Sequence, residues 1–165
     1  MAGGTLLPGR VDNGILKEYL DDIDPFFDCF LQYRRDWTNI ITYMQRVSPA
    51  EYGQVPSMHV QGNYTVKGER GGRICAKEDA LQTLERIGFL RDLDIVSGEK
   101  VSFRFRDVNI RAWLRDVGSV LELYVYKACL DANIFNDIIS SAVVRWDEVL
   151  GHGSVINEID VMATR

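Results

Sequence analysis

Two carboxylates near the end of the sequence have a spacing that suggests chemistry. Glu158 and Asp160 lie two positions apart in the strand-like run "SVINEIDVMATR" (154–165). Side chains two apart in a strand point to the same face, so these carboxylates would be neighbours on one side of a sheet. Neighbouring like charges are costly unless a cation or another partner compensates them. The spacing is compatible with a strand that holds a cation, or with the solvent-exposed face of an amphipathic edge strand.

Basic residues are concentrated in the middle of the chain. Residues 61–115 carry eleven basic and eight acidic groups, net +3, whereas residues 1–60 have a net charge of −3 and residues 116–165 of −5. Such a distribution favours an anionic partner for the middle segment, although small charge excesses also occur on solvated surfaces. The candidate nucleic-acid-binding residues are Lys67, Arg70, Arg73, Lys100, Arg104 and Arg106.

The cysteines and histidines do not form a zinc motif. Cys29, Cys75 and Cys129 are far apart, and no CxxC or CxxxH occurs. Free thiols in a reducing cytosol are the simplest interpretation. No apolar run approaches the roughly 20 residues that span a membrane, and "MAGGTLLPGR" lacks the pattern of a secretory signal. We therefore expect a cytoplasmic protein without membrane contact and an N-terminal lead-in without structure of its own.

The first part of the chain has the apolar spacing of helices. Residues 13–23 predict one helix, and Asp24-Pro25 predicts the N-cap and first position of a second helix that ends at Ser48-Pro49. The aromatic residues of this stretch are best interpreted as core. Residues 50–73 hold five glycines and predict a loop or a weak hairpin.

A helix and two strands follow in close succession. A helix over 76–87 precedes the C-cap Gly88, and "LDIVS" and "KVSFRF" predict strands joined by a turn at Gly98. A helix followed by a hairpin is the second half of a winged helix, in which the last helix and the wing approach nucleic acid. Winged helices also serve as dimerisation or linker modules.

The last third of the chain predicts a helix and two strands. Asp107 is a plausible N-cap for one long helix, interrupted only by Gly118, which permits a close approach or marks a kink. The expected apolar stripe of this helix is Ile110, Trp113, Leu114, Val117, Leu121, Val125 and Leu130. Glu122 lies beside this stripe, and "IISSAVVRWD" and "INEIDVMATR" predict strands. The fold class is therefore α+β.

Three of these segments resemble a known family. "GSVLELYVY", "NDIISSAVVRWD" and "NEIDVMATR" are similar to the C-terminal domain of the CRISPR-associated CARF nucleases, in which a winged helix precedes a PD-(D/E)XK, restriction-endonuclease-like core. The resemblance covers about residues 75–165. With the elements predicted above, the chain then divides into a helical segment over 1–60, a winged-helix-like unit with a basic loop over 61–106, and, as the resemblance implies, the first αββ part of the nuclease core over 107–165.

The resemblance also implies a metal site for phosphodiester hydrolysis. Asp160 corresponds to the metal-binding aspartate, Glu122 to the helix acid that supports the metal or its water, and Glu158 to a further acid of the same site. The implied cofactor is Mg²⁺ or Mn²⁺, the substrate DNA or RNA, and the assembly a homodimer. The acid-X-Lys half-motif of the family has no match, so we expect a fragment of a nuclease that is inert as given.

Two other functions compete with the nuclease hypothesis. One is a non-enzymatic nucleic-acid-binding or dimerisation module built on the winged helix, in which the acidic C-terminal part only mediates association. The other is an interaction domain that binds neither metal nor nucleic acid. Loss of salt-dependent DNA binding on substitution of Arg104 and Arg106 would favour the first.

Overall fold

The computed structural model describes residues 4–7, 17–49, 55–146 and 155–164, and within these ranges the protein is of mixed α+β class. The helices are α1 (Leu20–Tyr33), α2 (Trp37–Val47), α3 (Glu78–Arg86), α4 (Val108–Trp113) and α5 (Ser119–Ala132). The strands are β1 (Gly4–Leu7), β2 (His59–Asn63), β3 (Thr65–Lys67), β4 (Arg73–Cys75), β5 (Leu90–Val96), β6 (Lys100–Phe105), β7 (Asp137–Trp146) and β8 (Val155–Thr164). None of the helices described is long and apolar enough to cross a bilayer.

The chain forms two compact units. Residues 25–120 make a central unit, and residues 1–24 together with 121–165 make a terminal unit. These boundaries differ from the predicted segments 1–60, 61–106 and 107–165. Because the terminal unit includes a strand from each end of the chain, its membership depends on pairing between residues far apart in sequence.

The central unit contains a three-stranded antiparallel sheet in the order β2-β6-β5. Its middle strand β6 alternates as the sequence predicts, with Val101, Phe103 and Phe105 buried and Arg104 exposed. The turn from β5 to β6 contains Gly98 at φ 77°, a conformation that glycine adopts at little cost. The predicted helix and hairpin of this region are confirmed, whereas assignment of the unit as a winged helix stays a prediction.

Aromatic rings form the core of the central unit. Phe26 contacts Phe89, Trp37 and Trp113 at ring-centroid distances of 5.1, 5.7 and 6.3 Å. Each of the four rings is at most 6% exposed. The interpretation of the aromatic residues in 26–37 as core is thus confirmed for Phe26 and Trp37.

The boundary predicted at Asp24-Pro25 is wrong. Helix α1 continues through both residues and ends at Tyr33, and Arg34 to Asp36 form a turn before α2 begins. Asp24 does not cap a helix but forms an ion pair with Lys127, at 3.3 Å. Ile23 and Phe26 on either side of Pro25 are fully buried, and their burial outweighs the backbone hydrogen bond that proline removes.

The single long helix predicted from Asp107 is also wrong. Asp107 caps α4 by accepting hydrogen bonds from the backbone N–H groups of Asn109 and Ile110, but α4 ends at Trp113. The Asp116 carboxylate then accepts from Gly118 N and from the Ser119 hydroxyl, which favours a new helix start.

The break between α4 and α5 changes which side chains are buried. Val117, Leu121 and Val125 of the predicted stripe are exposed. The buried residues are instead Val120, Leu123 and Tyr126. Helical spacing counted from α4 does not predict the buried residues of α5, because the turn between the two helices interrupts the 3.6-residue repeat.

The terminal unit contains an antiparallel sheet in the order β1-β7-β8. The strands predicted for 138–147 and 156–165 are confirmed as β7 and β8. The N-terminal segment was predicted to have no structure, but Gly4–Leu7 pairs with Val143–Trp146 of β7. Among the described strands β8 pairs on one side only, and homodimerisation stays a prediction.

We predict that Gly62→Ala destabilises the central unit. A Cβ at Gly62 would lie 2.7 Å from Cγ1 and 2.9 Å from Cβ of Val47, because β2 packs closely against α2. We expect a loss of about 1–3 kcal/mol in the free energy of unfolding, measured by urea denaturation. Gly72→Ala is the matched control, since a Cβ there meets no atom within 4 Å. Equal effects of the two substitutions would contradict the packing argument.

Candidate functional site

A short polar contact joins α5 to β7 in the terminal unit. Glu122 lies half-buried in the first turn of α5, and its Oε1 accepts a hydrogen bond of 2.5 Å from the Ser141 hydroxyl. Ser141 is only 5% exposed. A carboxylate near a helix N-terminus is favoured by the helix dipole, and the serine fixes the orientation of one of its oxygens.

Ser141 has an unusual backbone conformation for a strand residue. Its φ is +49°, in the left-handed region that costs a non-glycine residue about 1 kcal/mol or more. The flanking pairs Ser140–Val161 and Ala142–Ile159 put Ser141 opposite Asp160 in the ladder. Strained residues of this kind cluster at functional sites. Sequence reasoning missed Ser141, although two serines inside the apolar run "IISSAVV" are an available signal.

The predicted acids occupy different positions around this serine. Glu122 contacts Ser141 directly, and Asp160 is exposed on β8 across the ladder from it. Glu158 pairs with Val143 in the same ladder, and its side chain lies outside the described part of the structure. Ser141 is therefore a neighbour of both acids: its hydroxyl bonds to Glu122, and its backbone lies opposite Asp160 in the ladder.

The oxygen ligands that this region offers to a hard cation are two carboxylates and one hydroxyl. Carboxylate and hydroxyl oxygens are ligands for Mg²⁺, which is commonly held by one or two carboxylates while keeping several waters. Within the part of the chain that the structure describes, no three His, Cys, Asp or Glu side chains come close enough to hold a metal ion. Two carboxylates are compatible with a Mg²⁺ or Mn²⁺ site that water completes.

Two cations of the predicted wing, Arg104 and Arg106, have partners within the fold. Arg104 lies 3.7 Å from the Asp92 carboxylate. Arg106 donates to Asp107 at 3.1 Å and places its guanidinium 5.4 Å from the centroid of the Phe89 ring. Lys100 lines a small cavity together with Asp94. Lys67, Arg70 and Arg73 lie instead on the β3–β4 hairpin and are all exposed.

The three cysteines are free thiols in different surroundings. Cys29 is buried, and burial raises its pKa to about 12 despite the opposing effect of Arg86. Cys75 is exposed, and Cys129 is half-buried. The thiolate is the reactive form of cysteine. Cys29 is therefore protected from reagents by its burial, which blocks access, and by its raised pKa, which keeps the thiol protonated.

A hydrogen-bond network in the central unit is centred on the Glu78 carboxylate. Glu78 Oε1 accepts hydrogen bonds of 2.7 Å from Tyr64 and from Ser97. The bonds from Tyr64 and Ser97 lower the pKa of Glu78, and the bond to Glu78 raises the pKa of Tyr64. The network links the start of α3 with the β2–β3 connection and the β5–β6 turn.

Comparison of the chain with family models, with curated proteins and with solved structures gives no match.

We predict that Ser141→Ala and Ser141→Gly weaken the terminal unit to different extents. Both remove the bond to Glu122, worth about 1.5–3 kcal/mol for a charged acceptor, but glycine also relieves the strain of the positive φ. Amide hydrogen exchange of β7 measures the effect, and we expect less loss of protection in Ser141→Gly. Greater loss in Ser141→Gly than in Ser141→Ala would contradict a strained Ser141.

We predict that Glu78 contributes to the acid sensitivity of the central unit. Because its pKa is lower in the folded state, the stabilisation is present above the unfolded pKa of about 4.3 and is lost as the pH falls through the folded value. Urea unfolding from pH 6 to pH 2 should therefore show a smaller decline for Glu78→Gln than for the unsubstituted protein. Glu99→Gln, an exposed acid in the β5–β6 turn, is the control and should leave the decline unchanged.

Proposed function

We propose that α5, β7 and β8 form the metal-holding half of a nuclease site for phosphodiester hydrolysis, with Asp160 and Glu122 as ligands of Mg²⁺ or Mn²⁺. The observation that supports this proposal is the hydrogen bond between Ser141 and Glu122 at the position in the ladder opposite Asp160. A bound divalent cation would supply charge stabilisation at the phosphate and a lower pKa of a coordinated water.

The two acids have different roles in this proposal. Glu122 is oriented by the Ser141 hydroxyl and partly shielded by its half-buried position, so it would hold the cation in a fixed place. Asp160 is exposed, which leaves it accessible to the cation and to a phosphate group. Glu158 stays in the proposal as the further acid of the site, two positions before Asp160 in the sequence.

The proposal covers metal binding and includes no catalytic lysine. The acid-X-Lys half-motif that the family resemblance implies has no match within residues 1–165. A lysine of that half-motif would position the attacking water and offset charge on the phosphate. We therefore expect the 165-residue chain to bind the metal without cleaving DNA or RNA.

Metal binding tests this proposal directly. We predict that Asp160→Asn and Glu122→Gln each raise the Kd for Mn²⁺ by roughly tenfold or more, because each removes one of two carboxylates. The fraction of free Mn²⁺ can be measured by electron paramagnetic resonance at constant ionic strength.

Asp137→Asn is the matched control for the metal experiment. Asp137 is an exposed acid at one end of the same β7–β8 ladder, opposite Thr164 and four positions before Ser141, so its loss changes the net charge equally without removing a proposed ligand. Equal weakening by Asp137→Asn would indicate general electrostatic attraction, and unaltered Mn²⁺ binding in Asp160→Asn would refute the site.

A further inference from the structure

A basic groove lies within the central unit, between the β3–β4 hairpin and the N-terminal half of α2. Its volume is about 570 Å³. The hairpin contributes residues 68–70 and 72–75, and α2 contributes the exposed polar side chains Thr38 and Asn39. The groove belongs to neither the proposed metal site nor the predicted wing.

The hairpin that forms one wall has a defined loop. Gly68 N donates to Gly72 O at 2.7 Å, and Gly71 N donates to Gly68 O at 3.1 Å. Gly71 adopts φ +80°, so Glu69, Arg70 and Gly71 form a three-residue hairpin loop of the type in which a left-handed residue follows a tight turn. This geometry keeps Arg70 and Arg73 on the same short element beside the groove.

The charges along the groove are unbalanced. Lys77 is neutralised by Asp36, whose carboxylate lies 3.3 Å from its Nζ. Arg70 and Arg73 have no carboxylate within ion-pair distance among the described residues, and Glu69 is the remaining acid of the lining. Lys67 and Arg73 are directly opposite each other in the β3–β4 ladder. Like charges in that arrangement are destabilising, and a bound anion would relieve the repulsion.

The lining indicates which anion fits. It contains guanidinium groups, hydroxyl and amide groups and glycine backbone, but no Phe, Tyr or Trp. Guanidinium forks and polar side chains contact phosphates and sugars, whereas bases are held mainly by stacking on aromatic rings. The groove is therefore suited to a nucleic-acid backbone without selection among bases.

We infer that this groove binds the sugar–phosphate backbone of single-stranded nucleic acid. Proteins that bind single strands without base selection use a positively charged groove that follows the backbone. Binding uses Arg70 and Arg73 as the main phosphate contacts and Lys67 as a supporting charge. It does not depend on Asp160 or Glu122, so it stands or fails separately from the proposed metal site.

Salt-dependent binding tests the inference. Fluorescence anisotropy of a labelled oligo(dT) of roughly 10 nucleotides should give an affinity that falls with salt. Removal of two phosphate contacts in Arg70→Ala/Arg73→Ala should reduce the slope of log K against log salt by about 1.4. The measurement is made in the presence of EDTA, so that a cation at the proposed metal site does not contribute, and circular dichroism checks that the variants are folded.

The control variant has the same net charge. Arg46 and Arg91 are exposed in the central unit and do not line the groove, so Arg46→Ala/Arg91→Ala removes two positive charges elsewhere. An equal loss of affinity in this control would overturn the inference. Tighter binding of a duplex of the same sequence, or equal competition by polyglutamate, would overturn the assignment to a single strand of nucleic acid.

Cys75 gives a second measurement at the groove itself. It is exposed and lines the groove, whereas Cys29 is buried with a pKa of about 12. In a Cys129→Ser background, bound oligonucleotide should slow the reaction of Cys75 with a thiol reagent, and Arg70→Ala/Arg73→Ala should abolish this protection. Unchanged Cys75 reactivity at saturating oligonucleotide would place binding elsewhere.

Discussion

The joint burial of four aromatic rings is the constraint on which the central unit depends. Phe26 comes from α1, Trp37 from the start of α2, Phe89 from the α3–β5 connection and Trp113 from the end of α4. The ring of Phe26 contacts the other three, and all four are buried. Large rings contribute much of the buried apolar area of a small unit. Their packing fixes the start of α2, which is one wall of the basic groove, and Phe89 also accepts the guanidinium of Arg106 above its ring.

The terminal unit depends more on a polar contact than on aromatic packing. Ser141 combines a positive φ with a short hydrogen bond to Glu122, so a backbone cost is accepted inside a strand that is otherwise regular. A strand with extended backbone at position 141 would avoid that cost. The combination gives the proposed metal site its physical basis, because an oriented carboxylate binds a cation with less loss of side-chain entropy than a free one.

The basic residues show how tertiary structure separates charges that look alike in sequence. Arg104 and Arg106 are balanced by Asp92 and Asp107, but Arg70 and Arg73 project from a hairpin without such partners among the described residues. An ion pair at the surface contributes little stability, yet it lowers the positive potential that attracts a polyanion. From the sequence, all four arginines were equal candidates for binding nucleic acid, because the sequence does not show which carboxylate pairs with which guanidinium.

Local patterns in the sequence were sufficient to predict several helices and strands. The alternation of Val101, Phe103 and Phe105 predicted β6, and Asp107 and Gly88 marked a helix start and a helix end. Where local signals conflict, packing sets the outcome. Helix α1 continues through Pro25 because the side chains of Ile23 and Phe26 are buried. The turn at Asp116 separates α4 from α5, so the buried residues of α5 are not those that one continuous helix predicts. Tertiary structure also decided the relation of Glu122 to β7. Contacts between distant segments depend on how elements pack, and local propensity does not encode that packing.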